Sequence, residues 1–490
     1  MIHVPGLMAV CSIPVCVAFD ERYAIGPLVV TAVLSLGLGQ MLFRYLRVDE
    51  EARLHHGMVV AAIGWVVVPV IGMIPILGVA LRLSALGEGS PTVLVFLNPI
   101  NALFESFSGF TGTGLTMALR PSQLPHSLQW WRSFMEWVGG GGVILLMLSI
   151  LSHTTSAHSL YFSEGRSKKI LPSVISTVRA IWWIYLLLTV VSILLLRGVG
   201  MSWWEAINHG MTGLSTGGFG VTDKSIADYD ALTRLMVMLV MILGSISFAV
   251  HYQVLSKGRI SVLWQDSQHR MLWGLLGLGS AVLMLENYWW SGSFYWVDSA
   301  FQWVSALSTA GFQTEDLHAW SSTGQLLLSL AMVLGGAAGS TAGGLKQVRV
   351  VLLHKGLRWR LRRIRLKPHE LLKYEVDGEA MEESEATRMV QNAGTLAVLW
   401  AVVLGVGIVV LLHCVPPPYG LSDVILEVSS AQGNVGLSTG ITHPSLPWIA
   451  KLSLVLSMWM GRLEIIPTLI VVSIVFGWLK RALRREGTGS

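Results

Sequence analysis

Glycine-rich tetrapeptides recur four times along the 490 residues of this chain: TGTG at 111–114, STGG at 215–218, STAG at 308–311 and GNVG at 433–436. None of them contains an ionisable side chain, so the chemistry available there comes from main-chain carbonyl oxygens. Such oxygens replace the hydration shell of a cation, and glycine permits the backbone angles that turn several carbonyls toward one point. The tetrapeptides therefore predict a cation site built from backbone.

The tetrapeptides belong to a longer repeat, which returns after 104, 93 and 125 residues. Its copies align on Gly114, Gly218, Gly311 and Gly436. The residue nine before this glycine is polar in every copy: Glu105, His209, Gln302 and Glu427. The residue thirteen before is Asn101, Glu205, Asp298 or Asp423, which we interpret as a helix N-cap. Each copy thus predicts a short helix of about ten residues. Its C-terminal end carries about half a negative charge toward the glycines.

The elements that must position these segments are membrane helices. The chain is 53% hydrophobic and 13% charged, with a mean hydropathy of +0.60, whereas a soluble domain is roughly 25% charged. This composition excludes a disordered chain and most nucleic-acid-binding proteins. Ten apolar stretches are long enough to cross a bilayer, near 4–20, 25–44, 58–82, 128–152, 178–198, 232–255, 271–290, 323–354, 388–414 and 447–478. We predict an all-α polytopic membrane protein.

Lysine and arginine set the expected orientation. Alternate loops hold 25 of the 34 basic residues, so these loops are expected in the cytoplasm together with both termini. Residues 1–19 lack a basic start and a cleavage site, which favours a membrane span over a signal peptide. The basic stretch 346–373 resembles a nucleic-acid patch in isolation. We interpret it as a cytoplasmic linker at the anionic leaflet, open to a protein partner.

Two features interrupt the later spans. Residues 335–344 hold five glycines inside an apolar stretch, which predicts a loop across the pore rather than close helix packing. Arg462 lies mid-span, where a charge costs about 3 kcal/mol, and a pore-facing position is favoured over snorkelling to an interface. Lys346 is either a gating contact or the first cytoplasmic basic residue. The run Gly139 to Gly142 predicts a packing or kink site.

Three motifs carry a family resemblance: FESFSGFTGTG at 104–114, GGAAGSTAGGLK at 335–346 and MGRLEI at 460–465. Together with the repeat, they resemble the Trk/Ktr/HKT superfamily of potassium-uptake proteins over about 58–478. The additional N-terminal pair of spans is similar to the Trk branch, whereas GNVGL in the fourth copy is closer to Ktr. In this superfamily, glycine at all four aligned positions accompanies potassium selectivity, and serine at the first accompanies sodium permeation.

The resemblance implies four helix–pore loop–helix repeats around one central pore, plus the two N-terminal helices. The implied potassium-binding filter is Thr111, Gly112, Thr113, Gly114, Ser215, Thr216, Gly217, Gly218, Ser308, Thr309, Ala310, Gly311, Gly433, Asn434, Val435 and Gly436. The implied gate is Gly335, Gly336, Gly339, Ser340, Thr341, Gly343, Gly344, Lys346 and Arg462. The expected divisions are an N-terminal helix pair 1–57, repeats 58–160, 161–260 and 261–355, a basic linker 356–386, and the fourth repeat with its tail 387–490.

The expected function is gated potassium uptake across a bacterial cytoplasmic membrane, with potassium as substrate and no bound cofactor. The resemblance further implies a homodimer and a cytoplasmic nucleotide-binding regulatory subunit of the RCK type, and no nucleic acid. One alternative is a secondary transporter that couples potassium to sodium or protons by alternating access. A remote one is an intramembrane hydrolase, because G-x-S-x-G occurs around Ser215 and Ser438. Three cysteines in apolar runs and the lack of a P-loop indicate neither disulfides nor direct ATP use.

Overall fold

The computed structural model describes residues 1–45, 54–142, 174–292, 295–365, 367, 373–377 and 379–486. These residues form helices joined by short connections, and the strands among them are Tyr374–Val376 and Glu379–Met381, an antiparallel pair. The predicted basic loop residues Arg47, Arg53, Arg166, Lys168 and Lys169 lie outside the described residues, as does the second half of the span predicted at 128–152.

Two N-terminal helices precede the repeats, at His3–Ala18 and Ile25–Tyr45. They pack closely because Gly6 leaves room for the second helix, and its backbone N–H donates to Ser35 Oγ at 2.8 Å. This pair agrees with the spans predicted at 4–20 and 25–44.

The rest of the chain repeats one unit four times: a first long helix, a short helix and a second long helix. The first long helices are Leu54–Leu86, Val174–Gly198, Ser267–Ser291 and Glu383–Cys414. Short helices 1 to 4 are Pro99–Thr111, Trp203–Leu214, Trp296–Ser308 and Leu421–Gly433. The second long helices begin with His126–Gly141, Ala231–Ser245, Ser322–Leu334 and Trp448–Arg462, and the last three continue as Phe248–Lys257, Gln347–Arg365 and Ile466–Glu486. Single-turn helices in the connections are Arg22–Ala24, Pro91–Leu94, Val95–Leu97, Pro121–Gln123, Val262–Gln265 and Leu317–Ala319.

Length and composition identify the helices that are able to cross a bilayer. Within the described residues, four helices qualify alone, and three further pairs qualify when two helices joined at a sharp bend are taken together. The outward faces fit a lipid environment. In the first long helix of repeat four, Val402, Val406 and Val409 are each more than half exposed, at 57%, 59% and 56%. Exposed valines on a long apolar helix are expected where the solvent is hydrocarbon.

Two spans that the sequence predicts as continuous are broken. In repeat two the helix bends by 100° after Ser245, because Ile246 is extended and Ser247 caps a new helix. In repeat four it bends by 118° after Arg462, because Glu464 and Ile465 both adopt positive φ angles, of 59° and 69°. The stretches predicted at 232–255 and 447–478 are therefore each built from two helices that meet at a bend. The break expected in repeat three lies at 335–346, as predicted.

The short helices occupy the centre of the bundle. Their C-terminal halves are buried in all four copies, and the large rings of Phe104, Phe110 and Phe301 are also buried. Each of them is too short to cross a bilayer, so the chain enters the bundle, turns at the glycine tetrapeptide and leaves on the same side.

Candidate functional site

All four short helices end with the same backbone turn. The residue two before the aligned glycine is left-handed in each copy, with φ angles of 64°, 54°, 57° and 54° for Gly112, Thr216, Thr309 and Asn434. The next residue's N–H then donates to the carbonyl six positions before the glycine, as from Thr113 to Ser108 at 2.8 Å and from Gly217 to Thr212 at 2.8 Å. This is the bonding pattern of a helix C-cap that reverses the chain.

The aligned glycines form a closed ring. We call residues 111–114, 215–218, 308–311 and 433–436 glycine segments 1 to 4. A methyl group on each aligned glycine would strike a carbonyl oxygen of the next segment, and the contacts run in the order one, two, three, four and back to one. The distances are 2.1 Å from Gly114 to Gly217, 2.4 Å from Gly218 to Ala310, 1.9 Å from Gly311 to Val435 and 2.5 Å from Gly436 to Thr113. All four glycines also have positive φ angles, between 75° and 106°. Glycine is required here on both counts.

A cavity of about 350 Å³ opens against this ring, and all four aligned glycines line it. Its other walls come from residues that follow the segments, such as Thr116, Gly220 and Ser438. Within the described part of the chain, no cluster of three or more histidine, cysteine or acidic side chains suits a metal ion. Among the described residues, the ring offers backbone carbonyls and the C-terminal ends of four short helices, and such groups suit a partly dehydrated monovalent cation.

The polar residue nine before each glycine braces the chain as it returns. Glu105 accepts from Thr116 Oγ1 at 2.8 Å and from the Met117 N–H at 2.7 Å. Glu427 accepts from the Ser438 hydroxyl at 2.8 Å and from the Thr439 N–H at 3.1 Å. In these two copies the polar residue therefore hydrogen-bonds to the chain that follows the glycine segment.

The other two members of the column differ. Gln302 meets the Thr314 N–H at 2.8 Å when its amide oxygen faces that group. His209 is fully buried between the rings of Tyr229 and Phe312, and neither of its ring nitrogens has a hydrogen-bond partner in the described structure.

The column thirteen before each glycine is not the N-cap. The short helices begin three residues earlier, at N-caps Asn98, Ser202, Tyr295 and Gly420, so this column is the third helical position. There Glu205 and Asp423 accept the backbone N–H of the N-cap residue, at 2.9 Å and 2.8 Å. An acid at that position makes a capping box, which explains the error of three residues.

Two buried charges behind segments 1 and 2 are absent from the sequence-based candidates. Arg132 donates to Glu105 at 2.6 Å and to the Gly220 carbonyl at 3.1 Å, and it stacks over the Phe219 ring at 4.1 Å. Glu136 accepts from the Phe219 N–H at 3.0 Å. The two residues lie four apart on one helix face in an apolar span, and this spacing is a signal from which they were predictable.

Residues 335–346, which we call the cross loop, lie against the C-terminal ends of the short helices, on the side opposite the cavity. The single proton of the Thr341 hydroxyl is shared between two carbonyl acceptors, Leu214 at 3.0 Å and Gly244 at 2.8 Å from Oγ1. The Gly343 N–H donates to Thr309 Oγ1 at 2.7 Å, and the Gly344 N–H to the Gly433 carbonyl at 3.0 Å. The loop thus bonds to three of the four repeats.

The remaining predicted residues of the loop hold its shape. Gly335, Gly339, Gly344 and Lys346 have positive φ angles of 65°, 79°, 74° and 72°. The Gly336 carbonyl accepts from the Gln347 N–H at 3.0 Å, and Ser340 Oγ donates to the Ala337 carbonyl at 2.7 Å. The Lys346 ammonium bonds back to the carbonyl of Ala342 within the loop.

Arg462 lies beside the cross loop rather than at an interface. Its guanidinium donates to the Thr341 carbonyl at 3.3 Å and to the Gly139 carbonyl at 2.5 Å, and Nη1 lies 4.0 Å from where a methyl on Gly112 would stand. The neighbouring acid, Glu464, pairs with Arg349.

The two G-x-S-x-G serines are committed to local structure. Ser215 Oγ donates to the Thr212 carbonyl at 3.2 Å, and Ser438 Oγ donates to Glu427. Each hydroxyl braces a turn of the repeat, and the strand–turn–helix setting of a hydrolase nucleophile is missing from the described residues around both.

Comparisons with known proteins agree with this geometry. The family model described as TrkH, a cation transport protein, matches residues 31–287 and 293–477. An uncharacterized cation transporter of Methanocaldococcus jannaschii is 29% identical over 486 residues, covering 99% of this chain and 96% of the relative. The Trk system potassium uptake protein TrkH of Escherichia coli K12 is 28% identical over 462 residues, covering 91% of each chain.

A solved structure extends the comparison to the fold. The crystal structure of the potassium transporter TrkH from Vibrio parahaemolyticus matches with a TM-score of 0.78 and 27% identity, over 96% of this chain and 97% of that one. The prediction of an all-α polytopic membrane fold is confirmed.

Proposed function

This chain belongs to the TrkH family of cation transport proteins, and we propose that it takes up potassium through a central passage lined by glycine segments 1 to 4. The observation that carries the proposal is the closed ring, in which every aligned glycine meets a backbone carbonyl of the next segment. Potassium, the substrate, would be coordinated by main-chain oxygens of these segments and by no side-chain ligand set. The relatives named as potassium uptake proteins support the choice of cation.

The cross loop and Arg462 would form the gate. They lie on the inner side of the ring, and their hydrogen bonds reach all four repeats, because Arg462 connects the loop to Gly139 of repeat one. A fixed positive charge there opposes a cation leaving the segments. Opening requires the loop to give up its bonds to the short helices.

The proposal includes the setting of the protein in a bacterial cytoplasmic membrane. The basic loops favour cytoplasmic termini. The order of the divisions is kept in the proposal, with boundaries moved to the ends of the helices that cross them, Leu54–Leu86, Gln347–Arg365 and Glu383–Cys414. The family resemblance supports a homodimer and a cytoplasmic RCK-type nucleotide-binding subunit as partners. Coupling to sodium or protons is the less favoured mechanism, and the hydrolase alternative is abandoned because the relatives are transporters.

Flux measurements in liposomes test the function. The purified parent is expected to pass potassium and rubidium in preference to sodium. Gly114→Ser introduces a side chain 2.1 Å from the Gly217 carbonyl oxygen, so it is expected to lower this preference by about tenfold or more.

The matched control is Gly405→Ser. Gly405 lies in a long helix with open space around its Cβ position, so this variant is expected to keep the parent's preference. A Gly114→Ser protein that discriminates as well as the parent would contradict the assignment of the filter. A parent that passes neither potassium nor rubidium would contradict the function itself.

A further inference from the structure

The fourth residue of every second long helix has a long polar side chain that can donate hydrogen bonds. These helices begin at His126, Ala231, Ser322 and Trp448. We call the four residues the clasp residues: Gln129, Arg234, Gln325 and Lys451. Gln129, Gln325 and Lys451 are 5%, 2% and 3% exposed, and the Arg234 side chain is 19% exposed. Lys451 is therefore a buried cation on a helix.

Each clasp residue bonds to the beginning of the next repeat's short helix. Gln129 Oε1 accepts from Trp204 Nε1 of short helix 2 at 2.7 Å, and Arg234 donates to Asp298 of short helix 3 at 2.5 Å. Gln325 donates to Asp423 of short helix 4 at 2.9 Å. Lys451 closes the circle with a 2.7 Å bond to Asn101 of short helix 1, across 350 residues of sequence.

Each clasp residue also holds the connection that follows its own glycine segment. The acceptors are backbone carbonyls: Pro121 for Gln129 at 3.1 Å, Tyr229 for Arg234 at 2.9 Å, Leu317 for Gln325 at 2.9 Å and Pro444 for Lys451 at 2.7 Å. One side chain thus joins the chain leaving one segment to the helix that leads into the next, in all four repeats.

We propose that the clasp residues are positioning residues that fix the spacing between neighbouring glycine segments and thereby set the preference for potassium over sodium. The inference rests on the proposed function. Carbonyl sites discriminate between cations through the number and spacing of their oxygens. The aligned glycines have no side chains with which to hold that spacing, so it depends on what is attached before and after each segment. Each clasp residue bonds to the connection after one segment and to the short helix before the next.

Two variants that remove a clasp without adding bulk test the proposal, Lys451→Met and Gln325→Leu. Potassium and sodium fluxes are measured in liposomes containing the full chain, and thermal unfolding is measured in detergent. Each variant is expected to lower the potassium-to-sodium flux ratio by about three- to tenfold, the size of effect that a lost buried contact produces. Lys451→Arg, which keeps the donors, is expected to restore most of the ratio.

The matched control is Lys224→Met. Lys224 pairs with Asp228 on a connecting segment, with side chains 72% and 62% exposed, and its loss is expected to leave the ratio unchanged. Clasp variants that unfold at lower temperature but keep the parent's ratio would overturn the proposal, since the ring would then only stabilise the fold. If the parent shows no preference for potassium, the proposed function fails. The role of the clasp residues is then tested separately, by whether the variants change the potassium-to-sodium flux ratio measured for the parent. Should Lys451→Met fail to fold, Gln325→Leu decides, because Asp423 retains His318 as a partner.

Discussion

Arg132 carries its charge inside the bundle, where its side chain is 3% exposed and that of its partner Glu105 is fully buried. Removing one member of such a pair leaves the other charge buried and unpaired, which costs about 3–5 kcal/mol. We expect Arg132→Met to lower the free energy of unfolding by about 3–5 kcal/mol. Chemical unfolding in detergent micelles, followed by tryptophan fluorescence, measures this difference.

Arg22 supplies the control, because its bond to Asp20 joins side chains that are 84% and 83% exposed. Exposed pairs contribute about 0–1 kcal/mol, so Arg22→Met is expected to change little. Equal losses in the two variants would contradict the structural role given to Arg132.

Arg462 makes a different prediction, because the proposed gate places its charge beside the passage. Neutralising it with Arg462→Gln removes an electrostatic barrier and two backbone contacts, and potassium flux is expected to rise by about threefold or more. Arg462→Lys keeps the charge and is expected to keep the parent's flux. Tracer rubidium uptake into liposomes distinguishes the two, and a flux that falls in the glutamine variant would remove Arg462 from the gate.

At the scale of the elements, glycine allows helices to touch. The second long helices place Gly139, Gly244 and Gly461 against short-helix carbonyls, where an added methyl would lie 2.1 Å from Phe110 O, 2.5 Å from Leu214 O and 1.8 Å from Gln432 O. The run Gly139 to Gly142 is therefore a packing site, as its sequence predicts. Part of the 51 glycines serves this contact and part serves the ring.

The cross loop is the element that we expect to move. Thr341→Val removes the hydroxyl that bonds to Leu214, Gly244 and Thr216 and replaces it with a methyl of similar size. The loss of one or two hydrogen bonds of about 1 kcal/mol each favours the open loop, so potassium flux is expected to rise severalfold.

Ser340→Ala is the comparison for this variant. The Ser340 hydroxyl bonds inside the loop, to Ala337, so its removal leaves the attachments to the short helices intact. If the two variants have the same flux, the bonds between the loop and the short helices do not control opening.

Some of these elements were predictable from the sequence and others were not. The glycine segments, the loop at 335–346 and the mid-span Arg462 stand out because each breaks the apolar pattern around it. The bend after Arg462 gives no such signal, since Ile465 is held at positive φ by packing in the buried core rather than by its own preference. The clasp residues differ in type and lie fourteen to sixteen residues after the aligned glycine, so an ungapped alignment does not bring them into one column.

On the scale of the whole molecule, the ring closes between the two ends of the chain. Segment 4, which follows the basic linker in the sequence, contacts segment 3 at Gly311 and segment 1 through Gly436, and both of these segments precede the linker. A chain cut after residue 370 is therefore expected to assemble from its two co-expressed fragments and to transport potassium. Co-purification and rubidium uptake measure this, and each fragment alone is expected to show no potassium preference.

The control is the same two-fragment protein carrying Gly311→Ala, which tests whether the fragments assemble through the contact between segments 3 and 4. The added methyl would lie 1.9 Å from the Val435 oxygen on the other fragment, so potassium preference is expected to be lost. Fragments that transport selectively in spite of this substitution would show that the contact between segments 3 and 4 is dispensable.

The left-handed residue at the end of each short helix is glycine in the first copy, threonine in the second and third, and asparagine in the fourth. In an assembly of four identical subunits, a change at such a position would enter the passage four times at once. Here it enters once, so the walls that an ion meets are unequal, and each quarter is separately adjustable. A substitution at one of these positions therefore changes one quarter of the passage. The same substitution in a channel of four identical subunits would change all four quarters.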